Sequence, residues 1–215
     1  MVKTRDRDQL REALFEATLG HVPFDGWSQT AFNAAVKELG ADPALALNEF
    51  PGGMAELLEF YHRRADQLMV EELQRRDIMT LKVRERIALA VRTRLVQNAR
   101  HREAIRQALS FLAMPQNAPL GARCLYRTVD AIWYAAGDTS TDFSFYTKRG
   151  LLAGVYGATV LFWLNDKSDD FVESWAFLDR RIADVMKIQQ WRRRLDKLAE
   201  KLPDPFRILR AMARR

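Results

Sequence analysis

Apolar residues recur three and four positions apart along nearly the whole chain, and sustained alternation is absent, so the pattern predicts helices and no sheet. Gly and Pro fall between the periodic stretches, where they punctuate. A first helix is predicted over about 6–19, with Leu10, Leu14 and Ala17 inward. His21-Val22-Pro23-Phe24-Asp25-Gly26-Trp27 breaks it and leads to Ser28, an N-cap for a second helix that stops near Gly40. Asp42-Pro43 repeats the start signal, a capping Asp with Pro at the first helical position, for a short third helix to about Asn48. Phe50-Pro51-Gly52-Gly53 reads as a turn, and helices follow over about 54–74, 81–98, 101–113, 118–136, 143–165 and 171–189. The fold class is therefore all-α.

Two stretches depart from the ordinary amphipathic pattern. Leu151–Leu164 is apolar on every side for 14 residues, too short for a membrane span and suited to a helix buried all round or facing a cavity. Gly150, Gly154 and Gly157 lie on it, each costing about 1 kcal/mol relative to Ala in a helix interior. Close backbone packing or room for a ligand would offset that cost, and both readings stay open. Near the end of the chain Ile188, Trp191, Leu195, Leu198 and Leu202 form one stripe, with Arg192, Arg193, Arg194, Lys197 and Lys201 on the other faces. After Pro203-Asp204-Pro205 a shorter echo carries Phe206, Leu209 and Met212 among arginines. This is the pattern of a basic amphipathic helix lying in a membrane interface. A coiled coil, or a helix docked on its own domain, has the same spacing. The chain thus divides into a head over 1–50, a helical body over 51–189 and a tail over 190–215.

Charge sharpens this division. Lys and Arg number 34 against 28 Asp and Glu, giving +6 and a pI of about 9.7. Residues 1–60 hold five bases against ten acids (−5), 61–128 fourteen against six (+8), 129–190 six against nine (−3), and 191–215 nine against three (+6). An anionic partner therefore meets positive charge in two places. The bases of the middle block, including Lys82, Arg86, Arg94, Arg102 and Arg106, do not share one helix face and read as solvated surface with partial pairing to Glu85 and Glu103. With 48% apolar residues, disorder and fibrous classes are excluded. Cys124, the one cysteine, excludes a disulfide framework and reads as a small buried side chain. The first residues contain no apolar signal core and mix acids with bases, which suggests a bacterial-type chain without a transit peptide, cytoplasmic and peripheral on the inner face of the cytoplasmic membrane.

The three short leading helices, with their tight turn at Gly40, resemble the helix-turn-helix head of TetR-type regulators. The charges oppose that function. The would-be recognition helix, Asp42-Pro43-Ala44-Leu45-Ala46-Leu47-Asn48-Glu49, carries no Lys or Arg, and DNA affinity rests largely on phosphate contacts. A lipid-sensing regulator is the alternative reading, and binding to nucleic acid is not expected.

A more specific likeness lies in Trp133-Tyr134-Ala135-Ala136-Gly137-Asp138-Thr139-Ser140-Thr141-Asp142, followed by Tyr146-Thr147-Lys148-Arg149. With His21-Val22-Pro23-Phe24-Asp25-Gly26-Trp27-Ser28, Leu112-Ala113-Met114-Pro115 and Asp166-Lys167-Ser168, it resembles the ubiquinone-biosynthesis accessory lipid-binding proteins of the Coq-nine family over nearly all of 8–190. The resemblance implies a TetR-like fold, a homodimer, no catalysis, binding of isoprenoid quinone intermediates and their delivery to the di-iron demethoxyubiquinone hydroxylase. It implies a hydroxylase-contacting patch at Asp142, Phe145 and Tyr146, although some members carry Trp where this chain has Phe145. From the residues alone, the same loop is a capping motif that starts the next helix. Trp133, Leu152, Val155, Tyr156, Thr159 and Trp163 are expected to wall one long apolar cavity suited to a polyprenyl tail, and Trp191, Leu195, Leu198, Leu202, Phe206 and Leu209 to contact the membrane.

Catalytic signatures are absent from the sequence. Glu59-x-x-His62 is a lone copy of a motif that a di-iron bundle needs twice, and reads as solvated helix surface. There is no phosphate-binding loop, nucleophile elbow or dinucleotide fingerprint, and neither metal nor cofactor is expected.

Overall fold

The computed structural model describes residues 2–138 and 143–199. Among them are nine α-helices and no strand: α1 Val2–Asp25, α2 Gln29–Glu38, α3 Pro43–Glu49, α4 Gly53–Gln74, α5 Val83–Gln97, α6 Arg102–Leu112, α7 Ala118–Ala135, α8 Phe143–Trp163 and α9 Val172–Ala199.

Local chemistry accounts for the head. Ser28 accepts from the Ala31 amide and Asp42 from those of Ala44 and Leu45, so both expected N-caps are made. Gly40, at φ +59, closes α2 with the paired bonds Ala41 N–H to Val36 O and Gly40 N–H to Lys37 O. The expected end of α1 at Leu19 is corrected. The helix runs through Pro23 to Asp25 and stops at Gly26, whose amide returns to Val22 O at 2.8 Å. A proline in the last turn removes one N–H bond, and full burial of Val22 and Leu19 outweighs that loss.

The head is not a detached unit. Its core, built on Leu14, Phe15, Phe32 and Phe50, continues into Leu57, Leu58 and Tyr61 of α4 and Ala104 and Ala108 of α6. Trp27 donates its indole N–H to Ala104 O at 2.9 Å, so the His21–Ser28 motif fastens head to body. A second core joins the distal half of α4 to α5, α7, α8 and α9 around Met69, Val91, Ile132, Trp163 and Leu178. The helix α4 belongs to both.

The basic middle block is corrected most. Arg86 donates to Ala136 O, which ends α7, and also to Met79 O and Leu81 O. Arg102 donates to Trp163 O and Asp166 O, and Arg106 to Leu164 O, so two arginines of α6 cap the last turn of α8. Carbonyls at a helix end have no partner inside the helix, and a guanidinium satisfies them while matching the negative end of the dipole. Pairing with Glu85 and Glu103 also occurs, from Arg84 at 3.7 Å and Arg106 at 3.3 Å.

The start of α9 is set by Asp166. Its carboxylate accepts from Ser168 N–H at 2.8 Å, Ser174 N–H at 2.8 Å and both serine hydroxyls. From there α9 continues to Ala199 with no break at 190. Burial alone would raise the Asp166 pKa, but these four donors outweigh it and bring the carboxyl down to about 2. Because the folded value is depressed, the stabilisation is full above the ordinary value of 3.8 and fades as pH falls toward about 2. Asp166→Ala is expected to lower stability at pH 7 by about 1 to 2 kcal/mol, the value of a lost cap. Urea denaturation of both proteins checks this, and the gap between them should narrow across that acid window.

Candidate functional site

The helix α8 separates two apolar cavities. The outer one, of about 450 Å³, lies between α5, α7, α8 and α9 and is lined by Ile87, Trp133, Leu152, Val155, Ile182 and Val185, with Lys82, Arg84 and Lys148 among its polar neighbours. The inner one, of about 440 Å³, lies beneath the head, with Tyr61 and His62 from α4, Arg94 and Leu95 from α5, Ile105 from α6, Cys124 from α7, and Tyr156, Gly157 and Val160 from α8. Both fall within the size range of ligand pockets, roughly 300–1,000 Å³.

The six residues expected to wall one cavity are thus divided. Trp133, Leu152 and Val155 line the outer space and Tyr156 the inner. Thr159 and Trp163 line neither and are fully buried. Thr159 returns its hydroxyl to Val155 O at 2.7 Å, and Trp163 lies beneath the Arg102 guanidinium at 5.2 Å, edge-on to Phe171. A helix advances about 100° per residue, so positions 155 and 156 cannot face the same space. A Cβ built at Gly150, Gly154 or Gly157 meets no atom within 4 Å, so none of the three serves tight packing; Gly157 lines the inner cavity, whereas Gly150 and Gly154 are exposed and line neither.

The inner cavity ends on polar groups that the sequence pattern read as surface. Arg94 donates to Asp66 at 2.8 Å, Thr128 donates to the same carboxylate at 2.9 Å, and all three are buried. Tyr61 donates to Asn98 Oδ1 at 2.9 Å, and Asn98 donates to Arg94 O at 2.7 Å. Burial pushes the Asp66 carboxyl up against the pull of Arg94. Burial also opposes the Arg94 charge, but Tyr156, Asp66 and Tyr61 outweigh it and raise the Arg94 pKa. Burial raises the Tyr156 phenol and brings the Cys124 thiol up to about 11, so neither is ionised near neutrality. His62 is half-buried rather than solvated. Its ring nitrogens are buried without a partner, while Glu59 of the same motif pairs with Arg127 at 2.8 Å. Burial first, then Arg94 and Arg127, lowers the His62 pKa to about 3. Helical register carries the signal that would have found these groups: Asp66 falls in step with Leu58, Tyr61, Ala65 and Met69, and Arg94 with Ile87, Ala90, Val91 and Leu95, all of them buried.

At the start of α8, Tyr146 is exposed and meets Phe145 edge-on at 5.2 Å. Phe145 is half-buried, with the Arg149 guanidinium 3.3 Å above its ring. Asp138 binds Lys148 at 2.8 Å and Arg149 at 3.3 Å, and Arg149 reaches Asp130 at 2.7 Å, so the acidic loop is tied to the helix it precedes. Asp142 lies outside the described residues, as do Leu202, Phe206 and Leu209. Trp191, Leu195 and Leu198 fall on the last turns of α9, and their side chains also lie outside them. Among the described residues no three His, Cys, Asp or Glu are grouped to hold a metal ion, and no helix is long and apolar enough to cross a membrane.

A family model described as COQ9 matches residues 118–189. The ubiquinone biosynthesis protein COQ9, mitochondrial, of Rattus norvegicus is 35% identical over 187 residues, covering 84% of this chain and 60% of its own length. Those of Xenopus tropicalis and Homo sapiens are 36% and 34% identical over 187 residues, covering 83% and 84% of this chain and 58% and 59% of their own lengths. The chain therefore spans about 60% of the length of these relatives. A solved structure of a TetR transcriptional regulator from Nitrosomonas europaea superposes with a TM-score of 0.68 at 20% identity, covering 81% of this chain and 97% of the other. That likeness establishes an all-α, TetR-like fold.

A pH dependence follows from His62. The folded protein keeps its imidazole neutral down to about 3, whereas the unfolded chain takes up a proton near the ordinary 6.5. The contribution of neutral His62 is full above 6.5 and is lost as pH falls below it, by up to about 1.4 kcal/mol per pH unit. His62→Phe is expected to be at least as stable as the parent at pH 7, since it removes unmatched polar atoms, and to lose less stability by pH 5. Urea denaturation at the two pH values checks both points.

Proposed function

The chain belongs to the COQ9 family, and we propose that it is a non-catalytic lipid-binding protein of ubiquinone biosynthesis. In this reading it takes isoprenoid quinone intermediates from a membrane surface and presents them to the demethoxyubiquinone hydroxylase, acting as a homodimer without cofactor. The observation that carries it is the pair of apolar cavities on either side of α8, in a fold whose helix-turn-helix head has no basic residue on α3. The cavities supply apolar volume for a prenyl chain, and α3 offers no basic side chain to phosphate in a head whose net charge is negative. Tyr146, exposed beside Phe145, is the anchor we assign to the hydroxylase, with Asp142 near it in sequence; exposed aromatics are enriched among such anchors. We assign membrane contact to the basic tail, through the stripe of Trp191, Leu195, Leu198, Leu202, Phe206 and Leu209, at the inner face of the cytoplasmic membrane for a bacterial-type chain.

Organic extraction of the purified protein followed by mass spectrometry should release isoprenoid quinones or their precursors, and adding the protein should raise quinone hydroxylation by the hydroxylase. Absence of any bound prenyl lipid, together with no effect on hydroxylation, would refute the reading. Tight, sequence-dependent retention of its own promoter fragment in low-salt gel shifts would instead establish the lipid-sensing regulator.

Removal of 191–215 is expected to abolish flotation with anionic liposomes while the circular dichroism spectrum stays helical. In the full chain, flotation should weaken as salt is raised, because each Lys or Arg near an anionic surface contributes about 1 kcal/mol.

A further inference from the structure

Where α4 passes into α5 the chain exposes apolar side chains at alternate positions: Met79, Leu81 and Val83 are 53%, 38% and 49% exposed. The backbone beneath them is fixed. Ile78 is buried in the body core, and Arg86 donates to Met79 O at 2.7 Å, to Leu81 O at 2.9 Å and to Ala136 O at 2.9 Å. The three side chains therefore cannot fold back into the core without breaking those bonds. Apolar residues scattered singly over a surface need no explanation, but a cluster on a fixed loop marks a surface of contact.

Charge and position together say what covers it. Residues 75–86 carry five bases against two acids, and Arg86 is the base turned inward. Lys82 and Arg84 are exposed between and beside the apolar side chains, and Arg84 meets Glu85 only at 3.7 Å. Lys82, Val83 and Arg84 also line the outer cavity, opposite Met186 of α9 and against the apolar walls of Trp133 and Leu152. From Met186, itself 40% exposed, α9 continues to Ala199, about 20 Å at the helical rise, and leads into the basic stripe of the tail. Loop, cavity and the root of the tail are thus neighbours. A second copy of the chain is a poor occupant, because a two-fold contact would set the bases of one loop against those of the other. Apolar side chains flanked by Lys and Arg are the composition that enters the headgroup layer of an anionic bilayer.

We propose that this loop is a second membrane contact, with Met79, Leu81 and Val83 entering the interface and Lys82 and Arg84 meeting anionic headgroups, so that the outer cavity is seated at the lipid surface. The tail supplies most of the affinity and the loop sets the orientation. This rests on the reading of the chain as a carrier that takes lipid from a membrane, and adds to it the face that is applied to the membrane and the cavity that the lipid reaches first.

The test uses the full chain and vesicles of equimolar phosphatidylcholine and phosphatidylglycerol. Thr80→Cys in the loop and Lys37→Cys in the head, both exposed positions, are each labelled with nitrobenzoxadiazole; Cys124 is buried and stays unlabelled. On adding vesicles the label at 80 is expected to shift to the blue and to be quenched by acyl-brominated lipid, while the label at 37 does neither. Replacing Met79, Leu81 and Val83 together by Ser should weaken vesicle binding by roughly tenfold with the helical circular dichroism unchanged, since all three are exposed. The pair Lys82→Glu and Arg84→Glu should weaken binding to these vesicles and leave binding to pure phosphatidylcholine unaltered. An unshifted label at 80 on vesicles that carry the protein, or a triple Ser variant that binds like the parent, would overturn the inference. So would a label at 80 that responds to the hydroxylase and not to lipid, which would make the loop a protein contact. In any of these cases the carrier reading stands if prenyl lipid is still extracted from the protein. If the parent neither floats with vesicles nor yields prenyl lipid, and hydroxylation is unaffected, the carrier reading itself fails.

Discussion

The ion pair between Arg94 and Asp66 holds the centre of this molecule. It joins α4 to α5, and Thr128 adds α7 through the same carboxylate. Asn98 and Tyr61 extend the network along α5 and back to α4, close to where the head core gives way to the body core. Two charges taken out of water lose several kcal/mol of hydration each, so the pair persists only because hydrogen bonds complete it. It fixes three helices relative to one another, and Arg94 and Thr128 form a polar end for the inner cavity.

The other architectural demand is the burial of helix ends. The last turns of α7 and α8 carry carbonyls that lack intrahelical partners, and Arg86, Arg102 and Arg106 reach across from α5 and α6 to meet them. Part of the positive charge in the middle of the chain is therefore structural. Between these fixed ends, α8 runs as a wall with a cavity on each side. Gly157 borders the inner cavity, so at that position the helix forgoes propensity where bulk would fill volume.

Much of the fold was legible because its signals are local. Ser28 and Asp42 cap their helices as capping chemistry requires, and Gly40 adopts the positive φ that ends α2. The end of α1 was missed because Pro23 is a local stop signal overruled by the burial of Val22. The candidate site was less legible. Leu152 and Val155 do line a cavity, but the residue types could not say that Tyr156 belongs to a different one or that Thr159 and Trp163 are packed shut. Arg94 reads as surface by residue type, because charged residues usually are, although its helical register with Ile87, Ala90, Val91 and Leu95 points inward.

The sequence alone determined the all-helical class, most helix starts and stops, the acidic head that argues against DNA, the basic tail and the family resemblance, since each depends on residues within a few turns or on a linear motif. Tertiary structure alone decided which arginines cap helices, which polar groups meet in the interior, and that one apolar helix serves two cavities. Those facts depend on residues such as Arg94 and Asp66, or Arg102 and Trp163, that are distant in the chain and whose meeting is set by how the helices pack. Side-chain hydrogen bonds act over about 3 Å, so no pattern along the chain specifies them until the backbones are in place.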